Sequence, residues 1–370
     1  MPTPSGILVD REIRELVARG VVEASRPLVP AQVQPASLDL RLGAVAHRVR
    51  TGFLPEKETV RERLDELGMD TLDLERGAVL EPGGIYLVEL LERLALPKDV
   101  SARSNPKSTT GRLDLFTRVL IDRNARFDDV PAGYRGTLYV EVAPRSFPVR
   151  ARVGVCLSQQ RYSRGTSALT TEELKALAAR ESLAFTEAGE PIAPDKLLFD
   201  SEGGMAFRLK LSGKGPVGHR ARRHAPVVDL SREDAHDPDE FWEPVHATRG
   251  AVVVEPEQFY IFASKERIRV PPGYAAEMLP IDVGVGELRT NYAGFFDPGF
   301  GMAGEGKGTP AILEVRPHDV PFLVEDGQVF FRLRWFRCTS PSDALYGAAG
   351  AGSHYGTQSL TLAKQFRRSG

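Results

Sequence analysis

The sequence predicts a mainly β chain of two tandem β-barrel or jelly-roll units, each preceded by a short helix. Three observations carry that expectation. The chain is written twice at a near-constant spacing. Its apolar residues alternate in short runs, the period of half-buried strands. Its 35 glycines and 27 prolines punctuate those runs as turns do.

The repeat is plainest in the middle of each half. Residues 81–106 read EPGGIYLVELLERLALPKDVSARSNP, and residues 255–280 read EPEQFYIFASKERIRVPPGYAAEMLP. Glu-Pro opens both, and Tyr86, Pro97 and Pro106 meet Tyr260, Pro271 and Pro280 at an offset of 174 without a gap. Further on, GTLYVEV (136–142) answers GTPAILEV (308–315), placing Glu141 against Glu314. At the start of each half, ILVDREIRELVARG (7–20) and ALTTEELKALAARE (168–181) share an acidic or threonine opening and helical apolar spacing. SLDLRLG (37–43) resembles AFRLKLSG (206–213), both alternating like strands. The expected units span 1–165 and 166–370, with SRGTS (163–167) as linker. HRARRH (219–224), followed by SREDAHDPDE (231–240), reads as a solvated loop of mixed charge.

Composition excludes several function classes. A net charge of −2 gives no basic field to gather nucleic acid. No apolar run approaches the ~20 residues of a membrane span. The N-terminal MPTPSGILVDREI lacks a basic region followed by an apolar core, so no secretory leader is expected. Two cysteines, Cys156 and Cys338, suit a reducing cytoplasm. There is no Cys-x-x-Cys, and no pair of the seven histidines has helical ligand spacing. A zinc-dependent nucleobase deaminase needs such elements, so any hydrolysis by this chain would activate water without protein-bound zinc.

The halves differ at one stretch. Lys107-Ser108-Thr109-Thr110-Gly111-Arg112 packs two cations, three hydroxyls and a glycine into six residues. It is no P-loop, because residues 101–106 contain no glycine and Pro106 precedes the lysine. At the repeat offset, Lys107, Ser108, Thr109 and Arg112 fall on Ile281, Asp282, Val283 and Gly286. A turn needed only for folding should look alike in both copies, so the first copy's loop is a candidate for holding phosphate. In TLYVEVA (137–143), Tyr139, Glu141 and Ala143 share one strand face, and Leu138, Val140 and Val142 share the other.

These pieces together resemble the dCTP deaminase branch of the dUTPase-like superfamily, in a double-length form with two fused copies. QPASLDLRLG (34–43), PGGIYLVELLERLALPKDV (82–100) and AGYRGTLYVEV (132–142) look like its strands. KSTTGRLDL (107–115) sits where the family has Arg-Ser-Ser-x-x-Arg-Leu-Gly-Leu. FFDPGFG (295–301), AILEV (311–315) and HYGTQ (354–358) complete the likeness, the last resembling a Lys-Tyr-x-x-Gln closing segment. Lys107 replaces the first arginine, Thr109 the second serine and His354 the tail lysine.

The resemblance implies hydrolytic deamination of dCTP to dUTP and ammonia, supplying dUTP in pyrimidine deoxynucleotide metabolism. It implies Glu141 as the carboxylate that moves protons, with Ser108 and Arg112 positioning the water and the reacting carbon. Glu314 is the alternative base if a site is shared between barrels. Lys107, Thr109 and Arg126 (or Arg123 in its place) are implied on the substrate, and Tyr355 and Gln358 close over it. Mg²⁺ would arrive on the triphosphate, with no metal site on the protein. Sites in the superfamily form between barrels in a threefold arrangement, so a homo-oligomer is expected. The alternatives are a dUTPase or bifunctional enzyme using Asp128 or Asp129, and a nucleotide-binding regulator that has lost catalysis.

Overall fold

The computed structural model describes residues 4–279, 294–317, 319–347 and 360–368, together with the backbone of 288–290. Two barrel-like curled sheets dominate it. The first is built from β1 (Leu38–Val49), β2 (Ile85–Ala95), β3 (Val100–Pro106), β4 (Leu115–Leu120), β5 (Asp129–Val130), β6 (Arg135–Pro144) and β7 (Cys156–Arg164). The second comprises β8 (Gly204–Lys210), β9 (Tyr260–Ile268), β10 (Tyr274–Leu279), β11 (Leu288–Thr290), β12 (Phe295–Phe296), β13 (Thr309–Pro317) and β14 (Val329–Arg337). Strands pair in the order β4-β6-β2-β1-β7-β3-β5 in the first and β11-β13-β9-β8-β14-β10-β12 in the second. Each strand therefore has its counterpart seven labels on, and the sequence repeat is a repeat of topology.

The two expected helices stand where the sequence places them. α1 (Asp10–Ala18) precedes the first sheet, and Ile13 and Leu16 are its apolar stripe. α4 (Thr171–Arg180) precedes the second. There the Thr170 hydroxyl accepts from the Glu173 N–H while the Glu173 carboxylate accepts from the Thr170 N–H, which satisfies two donors a helix start leaves open. Between them lie α2 (Val60–Leu67) and a single helical turn, α3 (Ser108–Gly111).

Alternation builds the cores. Leu138, Val140 and Val142 of β6 point inward and are fully buried, as are Phe207 and Leu209 of β8 and Leu333 and Trp335 of β14. Residues 219–224 depart from the expected solvated loop. Gly218–Ala221 is a strand, pairing with Trp242–Val245 and with β9. Its charges do not oppose this, because Arg220 and Arg222 both ion-pair with Glu243 across the exposed face.

The barrels pack directly against each other. Ile261, Ala263 and Ile312, on the outer face of the second barrel, join the apolar cluster that includes the first barrel's core. Phe147 seals the seam edge-on, 5.6 Å from the ring of Phe241 and 5.2 Å from that of Trp242. Arg161 donates across the junction to the Ala276 and Phe296 carbonyls, each at 2.9 Å, and to Asp297 at 2.7 Å. Arg103 meets Glu277, its own counterpart in the repeat, at 3.1 Å.

The same face of the first barrel has a different cover. Register makes Leu87 and Tyr139 the counterparts of Ile261 and Ile312. Leu87 and Tyr139 pack with Val60, Leu64 and Phe53, so residues 53–64, including the start of α2, lie where the first barrel itself lies on the second. Gly52 belongs to this cover, and a Cβ there would come 2.6 Å from Oε2 of Glu141.

Candidate active site

The cationic hydroxyl loop becomes a helical turn because β3 ends at Pro106 and the backbone then closes on itself. The Gly111 N–H donates to the Lys107 carbonyl at 3.0 Å and the Arg112 N–H to the Ser108 carbonyl at 3.1 Å. Two contacts to Leu157 anchor it, from the Lys107 N–H at 2.9 Å and the Thr110 hydroxyl at 2.7 Å. Four residues apart, Ser108 and Arg112 fall on one face of the turn. Thr109, Thr110 and Leu113 fall on the other, and the structure separates the two sets accordingly.

On the first face, Lys107, Ser108 and Arg112 line a cavity with Met278, Phe300, Ile312, Glu314 and Tyr346. The second barrel thus supplies the carboxylate. Glu314 is buried on β13, opposite Ile261 of β9. Burial pushes its carboxyl up to about 8, with Arg112 pulling it back and Asp114 adding to the rise. Arg112 is buried, and its Nη1 donates to the Thr361 carbonyl at 2.8 Å. A carboxylate held near neutrality beside a fixed cation and a hydroxyl can take a proton from water and return it.

Glu141 is not part of this cavity. Arg118 donates to its Oε1 through Nε at 3.0 Å and Nη2 at 2.5 Å. Arg118 is itself stacked over Phe127, 3.7 Å from the ring centroid. Within one chain, Ser108 and Arg112 are brought together with Glu314 and not with Glu141.

The other expected residues fall in three places. Lys107 ion-pairs with Asp39. Burial works against its charge, and Asp39 more than offsets that, so its pKa rises above the ordinary 10.5. Thr109 lines a second cavity of about 370 Å³ behind the turn, with Asp39, Lys107, Cys156 and Lys364. Arg126 is exposed and paired with Asp129 at 2.7 Å, while Arg123 sits at a turn with a φ of 53°. Asp128 accepts from the Val119 N–H at 2.8 Å, and burial pushes its carboxyl up to about 7. Unlike Lys107, the residues Thr109, Arg126, Arg123 and Asp128 do not line the Ser108 cavity. Tyr355 and Gln358 lie outside the described residues, as does His354.

Sequence reasoning missed two residues beside the cavity, Asp114 and Arg316. The available signal was a difference within the repeat, Arg316 standing where the first copy has Ala143.

Comparisons with known proteins agree on the family. Residues 4–166 match the model of the 2'-deoxycytidine 5'-triphosphate deaminase N-terminal domain, and residues 170–366 match that of its C-terminal domain. A protein of Methanoculleus marisnigri named "dCTP deaminase, dUMP-forming" is 32% identical over 176 residues, 46% of this chain and 86% of that one. One of the same name from Aquifex aeolicus is 32% identical over 160 residues, 43% of this chain and 81% of that one. The crystal structure of 2'-deoxycytidine 5'-triphosphate deaminase from Agrobacterium tumefaciens is 45% identical, with a TM-score of 0.83 over 90% of this chain and 99% of that one. With both domain models matched in order along nearly its whole length, the chain belongs to the 2'-deoxycytidine 5'-triphosphate deaminase family.

Proposed function

We propose that this chain deaminates dCTP at a site formed between its two barrels, with Glu314 as the proton-transfer residue. One observation carries the reading: a buried carboxyl poised near neutrality shares a cavity with Ser108 and Arg112. Water adds at C4 of the cytosine, Glu314 accepts its proton, and protons pass to the ring nitrogen and the departing amine. The sum is dCTP and water giving dUTP and ammonia. Arg112 stays protonated and balances the carboxylate. The Ser108 hydroxyl holds the water or the reacting carbon.

Lys107 and Thr109 are assigned to the triphosphate, which brings Mg²⁺ with it. Tyr355 and Gln358 are assigned to a closing tail. Zinc takes no part. The cover of residues 53–64 over the Glu141 face supports one complete site per chain, without a third barrel. Among the described residues no helix is long and apolar enough to cross a membrane, and a cytoplasmic setting is part of the proposal.

A second reading, continued hydrolysis to dUMP, is favoured by the relatives' names. The placement of Asp128 and Asp129 away from the Ser108 cavity weighs against either as its base. The test is incubation with dCTP and Mg²⁺, assaying ammonia, dUTP and pyrophosphate separately. Equal ammonia and dUTP support deamination alone. Stoichiometric pyrophosphate supports the second reading, and tight dCTP binding without ammonia would make the protein a regulator.

A further inference from the structure

Two residues beyond Arg112 on the loop, and two beyond Glu314 on β13, a second pair of opposite charges meets across the barrel junction. Asp114 is fully buried and Arg316 nearly so. Nη2 of Arg316 contacts Oδ2 of Asp114, and its Nε lies 3.4 Å from Oδ1. Ser146 ties the pair together, its hydroxyl donating to Asp114 at 2.6 Å and accepting from Arg316 at 3.1 Å. Nη1 of Arg316 donates to the Glu257 carbonyl at 2.7 Å, and the Glu257 carboxylate lies 3.7 Å away.

The order of signs is what matters. The loop presents plus then minus, Arg112 then Asp114, and the strand presents minus then plus, Glu314 then Arg316. Asp114 sits in a left-handed backbone conformation, with a φ of 52°. That region disfavours side chains with a Cβ, with Asp and Asn the most tolerant. The family pattern this loop resembles has glycine there, so the side chain is kept against the conformation. Arg316 likewise replaces the Ala143 of the other copy.

We propose that Asp114 and Arg316 form a positioning pair that fixes Arg112 against Glu314 across the junction and sets the pH at which Glu314 works. The inference rests on Glu314 being the proton-transfer residue. Charged groups facing Glu314 are Arg112 and Asp114 from the loop, and Lys107 and Tyr346 also line its cavity. Asp114 disfavours the ionised glutamate and Arg112 favours it. Burial pushes the Asp114 carboxyl up. A guanidinium that stays protonated and a serine hydroxyl both point at it, and that cage fits the ionised form.

Opposite shifts follow for the two halves of the pair. Asp114→Asn keeps the left-handed backbone but removes a negative charge, leaving Arg316's positive one, so ionised Glu314 becomes easier to form. The limb of kcat/KM that rises with pH should move at least ~0.5 pH lower. Arg316→Met removes the guanidinium beside Asp114 and leaves its carboxylate with Ser146 and the charge of Arg145, and the limb should move higher by a similar amount. The double variant should return toward wild type, and Arg316→Lys should rescue most of the shift even if Arg316→Met folds poorly. Purely structural residues would lower Tm in all variants and leave the limb in place, which overturns the inference. Failure of the underlying reading is separately visible, because Glu314→Gln would then keep the wild-type limb.

Discussion

The titration of Glu314 offers a quantitative check that needs no substrate. Folded Glu314 keeps its proton to about 8, against an ordinary value of 4.5. Between those values the folded chain holds a proton that the unfolded chain has released. Stability contributed by this group is therefore fully present below about 4.5 and is lost as pH rises through about 8. Moving a carboxylate from 4.5 to about 8 costs the ionised form roughly 5 kcal/mol, at about 1.4 kcal/mol for each tenfold. Glu314→Gln keeps shape and removes the titration. Reversible denaturant unfolding of both proteins between about pH 5 and about pH 8.5 isolates the difference, since other groups cancel. Relative to the variant, wild type should lose several kcal/mol across that window. Parallel stability curves would show that Glu314 titrates normally, and the reasoning from its burial would be wrong.

Other expectations follow from the same geometry. Gly52→Ala, which pushes a methyl toward Glu141 and Arg118, should lower stability by about 1–2 kcal/mol with unchanged turnover, read by unfolding and by ammonia release. Replacing Tyr355 and Gln358 together by alanine, with 360–368 and its Arg112–Thr361 bond kept, should raise KM for dCTP while the circular dichroism spectrum stays the same; unchanged kinetics would remove Tyr355 and Gln358 from the site. A zinc-selective chelator should leave the rate intact in the presence of Mg²⁺, and a loss restored by zinc would sink the metal-free mechanism. Lys107→Ala should weaken binding of the triphosphate far more than binding of deoxycytidine, measured by calorimetry, if the ammonium that pairs with Asp39 serves phosphate as proposed.

How much of this was legible follows from what a repeat can reveal. Glu-Pro turns, Tyr86 with Tyr260, and strand alternation recur at a near-constant offset, so β1, β2, β3 and β6 could be matched to their counterparts. The loop stood out because Lys107, Ser108 and Arg112 had no equivalents. Its partner was harder to choose. An offset compares equivalent positions, whereas the cavity joins nonequivalent ones, residues 108 and 112 of one copy with 314 of the other. Glu141 therefore looked like the natural companion, lying in the same copy as the loop. The signal against it, Arg118 directly across the ladder, becomes visible only when β4 is laid beside β6. Residues 53–64 carry no motif either. Their role is to cover a face, and a cover is recognised only against the face it covers. The exposed charges of 219–224 concealed a strand for a similar reason, since Glu243 comes to them from a separate segment.

The first barrel's loop is proposed to work with the second barrel's glutamate. Turnover numbers for Glu314→Gln and Glu141→Gln, measured side by side on saturating dCTP, test it most directly. Glu314→Gln should lose about 10²–10⁴ in kcat with dCTP still bound, as removal of a general base produces. Glu141→Gln should keep near wild-type turnover, with a cost of about 1–3 kcal/mol in stability from leaving the Arg118 guanidinium with a poorer partner. The reverse outcome, a dead Glu141→Gln and an active Glu314→Gln, would place the base in the first barrel and contradict the assignment.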